Sequence, residues 1–160
     1  MSEAKSDHLD VQIAGSRVTI AGRIDESSPM RGLAARLPPG PVTIDAGGIT
    51  FVNSAGLREW LHLVRAISAR GTLTLERVAD PLMTQMNLIA EFSGRVRIAS
   101  FHAQYACPAC GAESAPLVDA VVHALAVAAL RAPSMRCPEC GGATELVDFP
   151  ERYLSIFHGK

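Results

Sequence analysis

No run of about 18 apolar residues occurs in this 160-residue chain, so no segment is long enough to cross a bilayer as a helix. The longest candidate, Leu117 to Leu130, is short and carries Asp119 and His123. Charge of one sign is also missing: 15 Lys and Arg stand against 16 Asp and Glu, a formal net charge of -1. Nothing in that balance calls for nucleic acid or an anionic membrane as a partner. Lysine is scarce, with only Lys5 and Lys160 beside 13 Arg, a bias that reads as codon usage rather than function. The polar start, Met1 to Asp7, lacks the apolar core of a signal peptide. The expectation is a soluble, cytoplasmic protein. Catalytic constellations are lacking as well: no Ser-His-Asp spacing, phosphate-binding loop or paired-carboxylate cleft is evident, so no enzyme is expected.

What is present is a globular composition, 48% apolar, at a length suited to one ordinary domain or a small one with an appendage. The stretch from Ile44 to Trp60 organises it. Ile49, Phe51 and Val52 form a short apolar strand, stopped by Asn53 and Ser54, whose side chains suit a helix N-cap. Leu57, Trp60, Leu61, Val64 and Ile67 then recur at helical spacing through Arg70, and Gly71 ends the helix. Ser54 thus sits at a helix N-terminus after a buried strand, where it is either a plain cap or a place for a phosphate. Arg58, Glu59, His62 and Arg65 form the polar face of the helix, either solvated or a partner surface beside Ser54.

Around this unit the chain reads as alternating elements. Leu9, Val11 and Ile13 alternate as a strand, Gly15-Ser16 turns, and Val18, Ile20 and Ile24 return as a hairpin. Asp25 ends that strand as a turn residue. Ser28-Pro29 starts a short helix carrying Leu33, Ala34 and Leu37, closed by Pro38-Pro39-Gly40-Pro41. Val42 to Asp45 begins a central strand, and Gly47-Gly48 marks a bulge or break. Thr72 to Val78 is a further strand. Asp80-Pro81 caps a third helix through Ile89, and Val96 and Ile98 lie on an edge strand. The order is ββαβαβαβ, the α/β pattern of a mixed β-sheet with helices packed on it.

From Tyr105 the composition changes. Cys107-Pro108-Ala109-Cys110-Gly111 and Cys137-Pro138-Glu139-Cys140-Gly141-Gly142 are two near-identical knuckles separated by 26 residues, Gly111 to Arg136. Four thiolates offered from two tight turns fit a tetrahedral metal, and in a cytoplasmic chain metal is favoured over disulfide. Cys107, Cys110, Cys137 and Cys140 are assigned to a structural Zn²⁺ in a small zinc ribbon, with iron and thiol redox chemistry as the alternatives. Between the knuckles Val118, Val121, Val122, Leu125 and Ala129 form a helical stripe after Pro116, an inserted helix. In the tail Tyr153, Leu154 and Phe157 share helical spacing, for packing against the ribbon or docking to another protein. Two units follow: 8–103, the sheet domain, and 104–160, the four-cysteine zinc ribbon with its tail.

Phe51-Val52-Asn53-Ser54-Ala55-Gly56-Leu57 resembles the signature of the STAS domain of sulphate transporters and anti-sigma factor antagonists, an apolar strand followed by Asp-Ser-Ser/Thr-Gly-Leu. Gly22-Arg23-Ile24-Asp25 resembles that family's Gly-Glu-Leu-Asp at the end of its second strand. The resemblance covers Leu9 to Phe101 and implies a STAS-like sheet. It makes Ser54 the phosphoacceptor and places Asp25 beside it. One departure stands out: Asn53 replaces the usual Asp, which keeps the cap and loses the carboxylate.

The resemblance implies a regulatory module that binds an anti-sigma factor or a related serine-kinase-like partner. The expected contacts are Asp25, Asn53, Ser54, Ala55, Gly56, Arg58, Glu59 and His62, with Ser54 phosphorylation opposing them by repulsion and desolvation. Two alternatives stand beside it. One is an unswitched STAS scaffold subunit of a larger complex, such as a transport ATPase. The other, weakest, is a dithiol oxidoreductase, because two Cys pairs shaped to share a metal exceed what a redox pair needs.

Overall fold

A computed structural model describes residues 8–30 and 32–158; the Met1 to Asp7 segment and Lys160 lie outside the described residues. The main sheet has five strands in the order β1-β2-β3-β4-β5: β1 Asp10–Ala14, β2 Arg17–Ile24, β3 Val42–Val52, β4 Leu73–Glu76 and β5 Arg97–Ile98. β1 and β2 form the antiparallel hairpin expected at Gly15-Ser16, with Ala14 opposite Arg17 and Gly15 at φ 62°. The remaining pairings are parallel. Along β2, Val18, Ile20 and Ile24 are buried while Arg17 and Thr19 are exposed, so one face of the hairpin enters the core.

The break expected at Gly47-Gly48 is a bulge. Thr19 pairs with Asp45 but Ala21 pairs with Gly48, so β3 carries an extra residue there. Gly48 is required at this point, because a Cβ on it would lie 2.6 Å from that of Ala21. Beside the bulge, buried Asp45 accepts the Gly47 N–H at 3.0 Å and Arg77 Nε at 3.0 Å. Arg77 is held at φ 51°, a left-handed conformation that this ion pair and the contact to Ser100 Oγ sustain. In the sequence, Asp45 sits within an apolar run and gives no sign of its distant partner.

The long helix α1, Ser54–Ser68, buries Leu57, Trp60, Leu63, Val64 and Ile67, leaving Leu61 half-buried. The core stripe therefore leans toward Leu63 rather than Leu61. Trp60 is fully buried and its Nε1 lies 3.3 Å from Met86 Sδ, which carries α1 onto α2, Asp80–Met86. Gly71 does not end the helix in a left-handed turn. It allows the loop at Gly40 to approach, since a Cβ there would lie 2.3 Å from Gly40 carbonyl atoms.

Two helical expectations are corrected. Among the described residues the first helix is only a 3-10 turn, Ala34–Arg36, and the prolines at 38, 39 and 41 stop it from running further. Met30, Leu33 and Leu37 are nevertheless buried, and the Arg70 guanidinium reaches the carbonyls of Ala34 and Leu37. The cap of α2 is Ala79; Asp80 occupies the first helical position and accepts from Tyr153. A short α3, Glu91–Arg95, follows. It is pinned to α1 by Glu91, which accepts from Arg65 at 2.6 and 2.7 Å and from Arg95 at 2.7 Å.

The segment between the knuckles is mostly not a helix. β6, Ser100–His102, pairs antiparallel with β9, Leu117–Asp119, placing Phe101 opposite Val118. Asp119 Oδ1 then accepts the N–H groups of Val121 and Val122, closing a turn. Only Ala124–Ala128, α4, is helical. Of the stripe only Val118 is buried, whereas Val121, Val122 and Leu125 are exposed at 55, 74 and 86%, and α4 buries Val127 instead.

The tail packs on the α2–α3 region rather than on the cysteine module. In α5, Pro150–Tyr153, the Tyr153 hydroxyl lies 2.6 Å from Asp80 Oδ1 and 2.8 Å from the His102 carbonyl. Asn87 Oδ1 accepts the Ile156 N–H, the Ser93 hydroxyl donates to the Ile156 carbonyl, and the Phe157 ring lies tilted against that of Phe101, centroids 5.5 Å apart. Phe101, Tyr105, Val118, Tyr153 and Phe157 join Ile20, Ile44 and Trp60 in one buried cluster.

Candidate metal centre and the turn at Ser54

A four-stranded sheet, β10-β11-β7-β8 in order, carries the two knuckles. β7 (Tyr105–Ala106) and β8 (Glu113–Ser114) flank the first; β10 (Met135–Arg136) and β11 (Ala143–Leu146) flank the second. Each knuckle is closed by the same pair of backbone bonds. Gly111 N donates to the Cys107 carbonyl and Cys107 N to Ala112; Gly141 N donates to Cys137 and Cys137 N to Gly142. Gly111 and Gly141 both hold φ near 77° (77 and 76°), which glycine adopts without strain. Pairing of β11 with β7 sets the knuckles against each other, and the Tyr105 hydroxyl donates to the Pro133 carbonyl, tying the approach of one to the approach of the other.

This brings Cys107, Cys110, Cys137 and Cys140 together as their spacing implies. Their sulfurs lie within 4.8 Å of one another, with Cys107 to Cys140 at 3.5 Å and Cys110 to Cys137 at 3.6 Å, and none is in a disulfide. A metal–sulfur bond of about 2.3 Å places the corners of a tetrahedron about 3.8 Å apart, so the cluster is close to the size a tetrahedral metal requires. The thiols split electrostatically. The Cys110 N–H lowers Cys107, and the Cys140 N–H brings Cys137 to about 7. Cys110 gains an N–H from Ala112, which lowers it, yet the facing Cys137 thiol drives it up to about 12. Four thiolates at this separation need a cation among them. The donor set is that of a soft metal, and four protein ligands leave no open position for substrate.

At the other candidate site, Asn53 is the cap of α1: its Oδ1 accepts the Gly56 N–H at 2.8 Å. Ser54 is the first helical residue and is exposed, so the plain-cap role falls to Asn53. Gly56 is buried where α1 meets the end of β2; a Cβ there would stand 2.1 Å from the Ile24 carbonyl oxygen and 2.7 Å from Asp25 N. Gly56 is thus a packing residue, and it lets the first turn of α1 approach the backbone of Ile24 and Asp25. The Asp25 carboxylate is turned to its own loop, accepting from Ser27 N at 3.0 Å and Ser27 Oγ at 2.6 Å, and these bonds lower its pKa.

Ala55, Arg58 and His62 are exposed beside Ser54, and Glu59 is half-buried. Two neighbours escaped the sequence. Glu26 accepts the Asn53 Nδ2 at 2.8 Å, a bond that lowers the Glu26 pKa, and Arg23 lies over the Phe51 ring at 3.8 Å. Neither leaves a periodic trace, because each joins residues 27 or 28 positions apart. In comparisons with known proteins, no family model matches the chain and no curated protein does.

Proposed function

We propose that the chain is a STAS-like docking module of the cytoplasm, non-enzymatic, that binds an anti-sigma factor or a related serine-kinase-like protein. Ser54 phosphorylation switches that contact, and the four cysteines hold a structural Zn²⁺. The observation that carries the switch is the division of labour at the turn. Asn53 caps α1, and Ser54 stands exposed at the first helical position directly after β3. Its hydroxyl is not needed for the cap. A phosphate there meets the positive end of a 15-residue helix, worth about 0.3–1 kcal/mol. It also adds up to about two charges to a surface formed by Ala55, Arg58 and His62.

One observation favours the unswitched scaffold as a second reading. The Glu26 carboxylate, 2.8 Å from Asn53 Nδ2, already places a negative charge beside Ser54 and opposes a second one. Intact-mass measurement of protein from its native host, with a pull-down before and after phosphatase treatment, separates the two. The switch requires a phosphate on Ser54, loss of the partner on Ser54→Asp, and normal binding by Ser54→Ala. No phosphate, with both variants binding like the parent, leaves the scaffold.

A further inference from the structure

The four sulfurs of the cluster are not equivalent. Cys107 and Cys137, the first cysteine of each knuckle, are 2% exposed, whereas Cys110 and Cys140 lie at the surface. The Glu139 N–H donates to Cys137 and the Gly142 N–H to Cys140, both at 3.4 Å. Lying at the surface, the outer sulfurs Cys110 and Cys140 are the ones a small oxidant reaches first. Each faces an inner sulfur of the opposite knuckle, Cys140 toward Cys107 at 3.5 Å and Cys110 toward Cys137 at 3.6 Å.

We infer that Cys110 and Cys140 are modification sites for hydrogen peroxide, and that oxidation there expels the metal and leaves two disulfides crossing between the knuckles, Cys107–Cys140 and Cys110–Cys137. This rests on the reading that the four cysteines hold a metal. The Cys140 thiolate attacks one peroxide oxygen; the O–O bond breaks, hydroxide leaves and a sulfenic acid forms. The Cys107 thiolate attacks that sulfur, the S–O bond breaks, a second hydroxide leaves and the S–S bond forms. Two electrons pass from the sulfur pair to the peroxide. A second peroxide does the same at Cys110 and Cys137, and the metal, its thiolates gone, departs as the divalent cation. The crossing bonds join positions 33 and 27 residues apart. They link the same two hairpins the metal linked, so the ribbon stays closed.

The test uses the full chain loaded with Zn²⁺ and freed of reductant, titrated with hydrogen peroxide beside a metallochromic indicator. Trypsin separates the knuckles onto peptides 98–131 and 137–152. The expected result is release of the bound zinc, a mass about 4 Da below the reduced metal-free chain, and disulfide-linked 98–131 with 137–152. Fragmentation should assign Cys107 to Cys140 and Cys110 to Cys137. A brief pulse of iodoacetamide should label Cys110 and Cys140 before the inner pair. Unlinked peptides, each with its own internal disulfide, overturn the inference, as do the other crossed pairing, uniform labelling, or zinc retained at peroxide levels that oxidise a simple dithiol. A chain that carries no metal when purified under reductant overturns the metal reading itself. One that carries metal but fails the mapping overturns this inference alone.

Discussion

Asn53 holds two elements with one side chain: its Oδ1 accepts the Gly56 N–H and its Nδ2 donates to Glu26 Oε2, both at 2.8 Å. The start of α1 is thereby tied to the turn after β2. Asn53→Ala should cost about 0.5–2 kcal/mol, the range of a lost cap. Asn53→Asp, which restores the residue of the resembled motif, keeps the acceptor but sets a carboxylate against Glu26. It should be less stable than the parent, and Glu26→Gln should recover part of the loss. A double-mutant cycle in denaturant checks this; additive effects for the two changes would remove the proposed repulsion.

Glu91 gives a pH dependence with a definite sign. Its hydrogen bond from Arg65, with Arg95 assisting, holds its pKa at about 2, below the ordinary 4.5. A depressed carboxyl pKa stabilises the fold above the unfolded value and loses that contribution as pH falls. Melting temperatures of the parent and Glu91→Gln should therefore differ most above pH 4.5 and converge as pH approaches 2. Curves that stay parallel across that window would assign Glu91 no linkage.

Tyr153 fastens the tail. Tyr153→Phe keeps the buried ring and removes the hydroxyl that meets Asp80 and the His102 carbonyl. A loss of about 1–3 kcal/mol in a denaturant titration is expected, since one partner is a carboxylate and both are half-buried. Tyr153→Ala should cost about 3–5 kcal/mol and open the tail to carboxypeptidase. A tail digested equally fast in the parent would contradict its docking on α2 and α3.

Metal analysis should find about one zinc per chain. Chelation should expose the knuckles to trypsin at Arg131 and Arg136, which precede the second one. Cleavage should spare the main sheet, since Ile20, Ile44 and Trp60 are buried without help from the cysteines. Melting of the whole chain in a single step with metal loss would show that the knuckles hold the sheet as well.

Local chemistry determined much of this protein. The β1–β2 hairpin, the bulge at Gly47-Gly48, α1 with Trp60 inside and the gathering of four cysteines all follow from patterns within a few residues, or from one motif stated twice. Spacing reports such features because a period of two or 3.6 residues is a property of the backbone itself.

The tertiary structure decided what depends on a distant partner. The stripe from Val118 to Ala129 fits a helix by period, but β6 offered an edge, and pairing Phe101 with Val118 satisfied backbone groups that the pattern does not count. The tail's helical stripe pointed to the ribbon or to another protein; Asp80, Asn87 and Ser93 hold it elsewhere. Asp45 lay in an apolar strand, and Arg77 in its left-handed turn added a distant cation to the local Gly47 N–H that its carboxylate accepts. In each case the deciding bond joins residues far apart in the chain, and its free energy exists only once the core has placed both ends.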